Sequence, residues 1–169
     1  MQKHTRHLAH AAIIAALYTV MTHLQNLILM GSASWASQLR LSEVLCILAF
    51  FTPAAIPGLS IGCLLFNLTF SAALPLDFLV GTLATYLAAQ GMWLTRKVKL
   101  FGLPVLGLLM PAVTNAFLVG WELTVYIGGG FWFNALSVAL GELIVLLIPG
   151  TALYLVMKHR NLDTLLFGN

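Results

Sequence analysis

Between Leu41 and about Leu94 the chain carries only two charged side chains, Glu43 and Asp77. A water-facing surface cannot be built from such a stretch, because soluble domains carry about a quarter of their residues as charges. The same bias runs through the whole chain: of 169 residues, 60% are hydrophobic and 8% charged, and the mean hydropathy is +0.97. The apolar runs are long and separated by turn signals, and they do not alternate with period two. Helices are therefore expected rather than a barrel. The sequence reads as an all-α integral membrane protein with one membrane domain over residues 1–169.

Breakers divide the runs. Pro53 and Pro57-Gly58 make one cut, Leu74-Pro75 a second, and Gly128-Gly129-Gly130 a turn further on. Six transmembrane helices are expected, at about 8–30, 41–52, 56–73, 75–95, 103–126 and 131–157. The first follows a basic start with Lys3 and Arg6. At roughly 23 residues it is long enough for the ~30 Å hydrocarbon core, so it is read as a span and not as a cleaved signal. Trp35, in the serine-rich loop that follows, suits an interface anchor.

The basic residues give the expected topology. Lys3 and Arg6, then Arg96, Lys97 and Lys99, then Lys158 and Arg160 form three clusters. Six crossings place all three on one side, which the positive-inside rule makes the cytoplasm, together with both termini. Reading 41–95 as two spans would put the first cluster opposite the others. Arg40 is the exception, and falls outside.

With that topology, Arg40, Glu43, Asn67, Asp77, Asn115, Glu122, Asn134 and Glu142 occupy the outer to middle part of the membrane. Ionisable groups at such depth face a bundle interior or a cavity. Asn115 and Glu122 are seven apart and fall on one helical stripe, as do Asn134, Val138, Gly141 and Glu142. A polar pocket open to the outside is one reading. Helix caps, above all for Glu43 and Asp77, and interhelical hydrogen bonds are the other. Arg40 and Glu43 are expected to pair at the pocket mouth.

Ala11, Ala12, Ala15 and Ala16 form overlapping small-xxx-small pairs, suited to internal helix packing or to a partner protein. Gly58-Leu-Ser-Ile-Gly62 matches the GxSxG nucleophile pattern but lacks its strand-to-helix turn and a His/acid pair. Tight packing by small residues explains it better. No P-loop and no HExxH is present, so any ATP hydrolysis must come from another subunit, and the chain is not expected to be an enzyme. Cys46 and Cys63 read as apolar packing, with no disulfide, metal or cofactor expected.

The blocks Arg40-Leu-Ser-Glu43, Phe51 to Cys63 with Asn67, Leu76-Asp77-Phe78 with Gly81 to Thr85, and Phe131 to Glu142 together resemble the QueT-type membrane proteins. The resemblance covers roughly residues 10–157. It implies a six-helix substrate-binding S-component of an energy-coupling-factor (ECF) transporter in the cytoplasmic membrane of a bacterium. Such a component works with a transmembrane coupling subunit and two ATPase subunits. The implied cargo is a queuosine precursor, either an aminomethyl-deazaguanine or the related free base.

For such a ligand, Glu142, Asn134, Asn115 and Glu122 are the first candidates, then Asp77 and Asn67, with Arg40 and Glu43 at the mouth. Trp121 and Trp132 (with Phe131 and Tyr126) can stack on the ring or form an interfacial belt. The resemblance also points to the alanines of helix one as the coupling-subunit surface. Another micronutrient as cargo, or a stand-alone cation- or proton-coupled carrier, are the rival readings. A hydrolase built on Ser60 is a third.

Overall fold

The computed structural model describes residues 2–28, 40–70 and 73–168. The loop with Trp35, the last two residues of the first expected helix, and residues 71 and 72 lie outside them. Among the described residues there are seven α-helices and no strand beyond one isolated bridge between Leu100 and Leu103. Helix α1 is Gln2–Ile28. A ten-residue 3-10 helix, Leu41–Phe50, comes next, followed by α2 at Ala55–Thr69, α3 at Asp77–Thr95 and α4 at Val105–Tyr126. Then α5, Phe131–Val145, runs through a π-helical turn at Leu146–Gly150 into α6, Thr151–His159. A short α7, Leu162–Phe167, closes the order.

Among the described residues, three helical runs are long and apolar enough to cross a membrane: His4–Ile28, Val105–Tyr126 and Phe131–His159. Leu41–Phe50 and Ala55–Thr69 are shorter apolar helices. The expected helices at 41–52 and 131–157 thus differ in winding. Pro149 has no N–H to give, and the chain around it widens into a π turn instead of breaking. A 3-10 helix has three residues per turn, so Glu43, Cys46 and Ala49 eclipse one another, and all three are buried.

Helix α2 packs on α1 through its glycines. A Cβ at Gly58 would stand 2.8 Å from the Ala11 carbonyl oxygen, and one at Gly62 2.8 Å from that of Ala15. The GxSxG stretch is therefore a close-contact seam. Ser60 donates to the Ile56 carbonyl at 2.8 Å, and His23 bonds Thr69 Oγ1 at 2.9 Å, so no nucleophile–base pair forms. Ala11 and Ala15 are buried in this seam, while Ala12 and Ala16 are exposed.

The three basic clusters come together at one end of the bundle. Arg6, His7 and His10 line a cavity of about 310 Å³ with Thr52, Phe167 and Gly168, and Arg6 donates to the Leu166 carbonyl. Arg96 shares a second cavity with Phe50, Lys158 and Asp163. The apolar core is thickest toward this end, where Phe51 stacks on Tyr154 at 5.4 Å and Met92, Leu108 and Met157 are buried. Asp163 apart, the acidic residues lie away from this end. Asp77 opens α3 and Arg96 follows its last residue, a separation of about 28 Å at 1.5 Å per residue.

Candidate functional site

The polar interior starts from α1. Tyr18, Thr22 and Gln25 recur at helical spacing and form an inward stripe on α1. Each meets the 3-10 helix in antiparallel register. Tyr18 Oη donates to Glu43 Oε1 at 2.5 Å, Thr22 Oγ1 bonds Ser42 Oγ at 2.7 Å, and Leu41 N–H donates to Gln25 Oε1 at 2.6 Å. Glu43 Oε2 accepts from Cys46 Sγ at 2.9 Å, a contact the eclipsed i, i+3 geometry creates. Both oxygens of Glu43 are thereby occupied.

Arg40 and Glu43 do not pair, contrary to expectation. Arg40 is 5% exposed and Glu43 1% exposed, so neither sits on a rim. Arg40 Nη2 instead forms an ion pair with Asp77 Oδ2 at 3.3 Å, and its guanidinium lies 5.9 Å from the Phe66 ring centroid. Nor do Glu43 and Asp77 act as caps. The N-termini of the 3-10 helix and of α3 carry no side-chain cap hydrogen bond; Glu43 Oε1 accepts from Tyr18 on α1 and Asp77 Oδ2 pairs with Arg40. Asn67 Nδ2 donates to the Asp77 carbonyl at 2.7 Å, tying the end of α2 to the start of α3. Gly81 makes room here: a Cβ would lie 2.9 Å from both Asn67 Nδ2 and Asp77 Oδ1.

The second half of the cluster spans α4 and α5. Asn115 Nδ2 donates to Glu142 Oε1 at 2.8 Å. Glu122, two turns along α4 from Asn115, is 0% exposed. The halves meet electrostatically: Glu142 interacts with Glu43 and Arg40, and Glu122 with Asp77 and Arg40. Asn134 stands apart, its amide donating to Thr124 Oγ1 and to the Gly128 carbonyl, both at 3.0 Å. It therefore holds the turn between α4 and α5. Trp121 is 48% exposed and Trp132 74% exposed. The face of α4 that carries Glu122 inward turns Trp121 outward, and Trp132 is exposed on the first turn of α5.

Five buried oxygens in this interior have no hydrogen-bond partner: Asn67 Oδ1, Asp77 Oδ1, both oxygens of Glu122, and Glu142 Oε2. All five are assigned as acceptors. A buried polar atom without a partner costs about 1–3 kcal/mol, more if charged, so this group is built to receive donors. The formal charges agree, since Glu43, Asp77, Glu122 and Glu142 are all buried and Arg40 is ion-paired with Asp77 among them. Among the described residues no group of three or more His, Cys, Asp or Glu could hold a metal ion, and Cys46 and Cys63 are free, buried thiols.

Sequence reasoning missed Tyr18, Thr22, Gln25 and Ser42. The i, i+4, i+7 recurrence of hydroxyl and amide side chains in α1 was the available signal. The family model of the QueT transporter matches residues 8–159. No curated protein and no solved structure matches the chain. A multi-helix membrane chain with an acid-rich buried interior, matched over nearly its whole length, belongs to the QueT transporter family.

Proposed function

We propose that this protein is the substrate-capturing S-component of an ECF-type importer, and that its cargo is a queuosine precursor of the 7-deazaguanine type. It then sits in the cytoplasmic membrane with six crossings and the basic end in the cytoplasm, where the positive-inside rule puts it. The acid-rich interior then lies toward the outside. ATP hydrolysis falls to two ATPase subunits, joined through a transmembrane coupling subunit. Ala12 and Ala16 are the register left open for that partner, since α2 covers Ala11 and Ala15.

The observation that carries the cargo assignment is the set of five unpartnered acceptor oxygens. A guanine-type edge presents adjacent N–H donors that a carboxylate accepts together, and an aminomethyl group adds three more with a positive charge. Glu142, oriented by Asn115, suits the ring edge. Glu122, Asp77 and Asn67 offer the remaining acceptors, and Glu43 and Arg40 set the charge around them. An anionic vitamin would meet the wrong sign at every one of these carboxylates.

Calorimetry on the purified protein tests the reading, with aminomethyl-deazaguanine titrated at micromolar concentration. Saturable heat is expected. No heat with any deazaguanine, alongside binding of a vitamin such as thiamine, would replace the cargo. Co-purification with a coupling subunit and ATPases tests the assembly, and uptake that persists without them would favour a stand-alone carrier.

A further inference from the structure

Each buried carboxylate differs in how far the protein itself satisfies it. Glu43 has donors on both oxygens. Asp77 has the Arg40 guanidinium on one, and Glu142 has the Asn115 amide on one. Glu122 has none on either, although it is fully buried. Arg40 is already engaged by Asp77, and its field reaches Glu122 only alongside the opposing field of Asp77. A buried carboxylate without a counter-charge is strongly unfavourable. The fold therefore leaves Glu122 the least satisfied of these buried carboxyl groups, electrostatically coupled to the half-open carboxylate of Asp77.

We infer that Glu122, with the free Oδ1 of Asp77, is the seat for an organic ammonium group, and that it makes this protein selective for cationic ligands over uncharged ones of the same ring. The inference rests on the capture role proposed above but not on the deazaguanine ring. A primary ammonium has three donors and no acceptor. It can place two donors on the Glu122 carboxylate, satisfying both of its open oxygens, and direct its charge and third donor toward Asp77. The ring edge is then left to Glu142 and Asn67. An uncharged substituent, such as a nitrile, offers only an acceptor there and would leave both Glu122 oxygens bare.

Four compounds titrated into wild-type protein and into Glu122→Gln separate the possibilities: aminomethyl-deazaguanine, its uncharged nitrile analogue, cationic thiamine and anionic biotin. For wild type, the aminomethyl compound is expected to bind at least 30-fold tighter than the nitrile. In Glu122→Gln that ratio should fall at least tenfold, with the nitrile's own affinity changed less than threefold. Binding of both compounds weakened equally by the substitution overturns the seat, as does a ratio near one in wild type. If thiamine alone binds, and does so through Glu122, the deazaguanine cargo fails and so does the ammonium seat, because a thiazolium has no N–H donor to give. Tight binding of biotin, or of no compound in the panel, overturns both. A circular-dichroism melt of Glu122→Gln within a few degrees of wild type separates a binding loss from a folding defect, and Glu122→Asp restores part of the discrimination.

Discussion

A Cβ added to Gly62 on α2 would stand 2.7 Å from the Cβ of Tyr18 on α1. Tyr18 is also the donor to Glu43. A close contact between α1 and α2 and the first hydrogen bond of the polar interior therefore share one residue. Gly62→Ala must push α1 away or turn Tyr18, and overpacking of this kind costs about 1–3 kcal/mol. Thermal unfolding in detergent should show the loss. Gly128→Ala, in open space at a positive φ of 90°, should lower stability through backbone strain alone and leave ligand affinity unchanged.

Tyr18→Phe leaves Glu43 Oε1 buried without its donor. The expected loss is about 1–3 kcal/mol, the cost of an unsatisfied buried group. Tyr18→Phe combined with Glu43→Met should cost less than the sum of the single changes, because the second removes the acceptor that the first orphaned. Additive losses in chemical unfolding would argue that the 2.5 Å contact contributes nothing.

Glu122→Met should stabilise the ligand-free protein while abolishing its preference for cations. Replacing a buried ionic group by an apolar one is often favourable by about 1–4 kcal/mol, and binding sites commonly give up stability in this way. A lower melting temperature for the ligand-free variant would show that Glu122 has a stabilising partner.

At the basic end, Lys158 Nζ donates to Asp163 Oδ2 at 2.5 Å. That hydrogen bond, followed by the charge of Lys158, holds the Asp163 carboxyl below its ordinary value of 3.8. A carboxyl depressed in the folded state contributes stability above its unfolded value, and loses it as pH falls through the folded one. Lys158 is 47% exposed, so screening limits the contribution to under about 1 kcal/mol. Asp163→Asn should expose α7 to protease at neutral pH and make no difference well below pH 3.8.

Cys46 and Cys63 are both fully buried. Maleimide should label neither in the folded protein within minutes, and both after denaturation. Rapid labelling of Cys63 that ligand suppresses would reveal opening of the interior between Arg40 and Asn67, which both approach its sulfur.

The sequence carried the helices and the inward acids clearly, because a charge or amide within an apolar run has few places to go. Asn115 with Glu122, and Asn134 with Glu142, fall on buried stripes as their spacing requires. Partners were less legible. Arg40 and Glu43 are only three residues apart in sequence, yet each bonds across the bundle, to Asp77 and Tyr18 respectively. Periodicity also gave two registers for the α1 alanines, and only the glycines of α2 select Ala11 and Ala15 for the inside. Trp121 adjoins Glu122 in the chain, but neighbours on a helix point about 100° apart, so sharing a depth did not mean sharing a site. Pro149 marks a local irregularity, but the winding of residues 41–50 depends on tertiary packing, which leaves no local signature.

The 3-10 winding of Leu41–Phe50 changes how far a short segment reaches. At about 2.0 Å per residue, ten residues extend roughly 20 Å. An α-helix of the same ten would extend roughly 15 Å. Overwinding lets this segment run alongside the middle of α1 and arrive at Phe50 near the basic end without three or four additional residues. Chain length is thus an unreliable ruler for membrane depth in this protein.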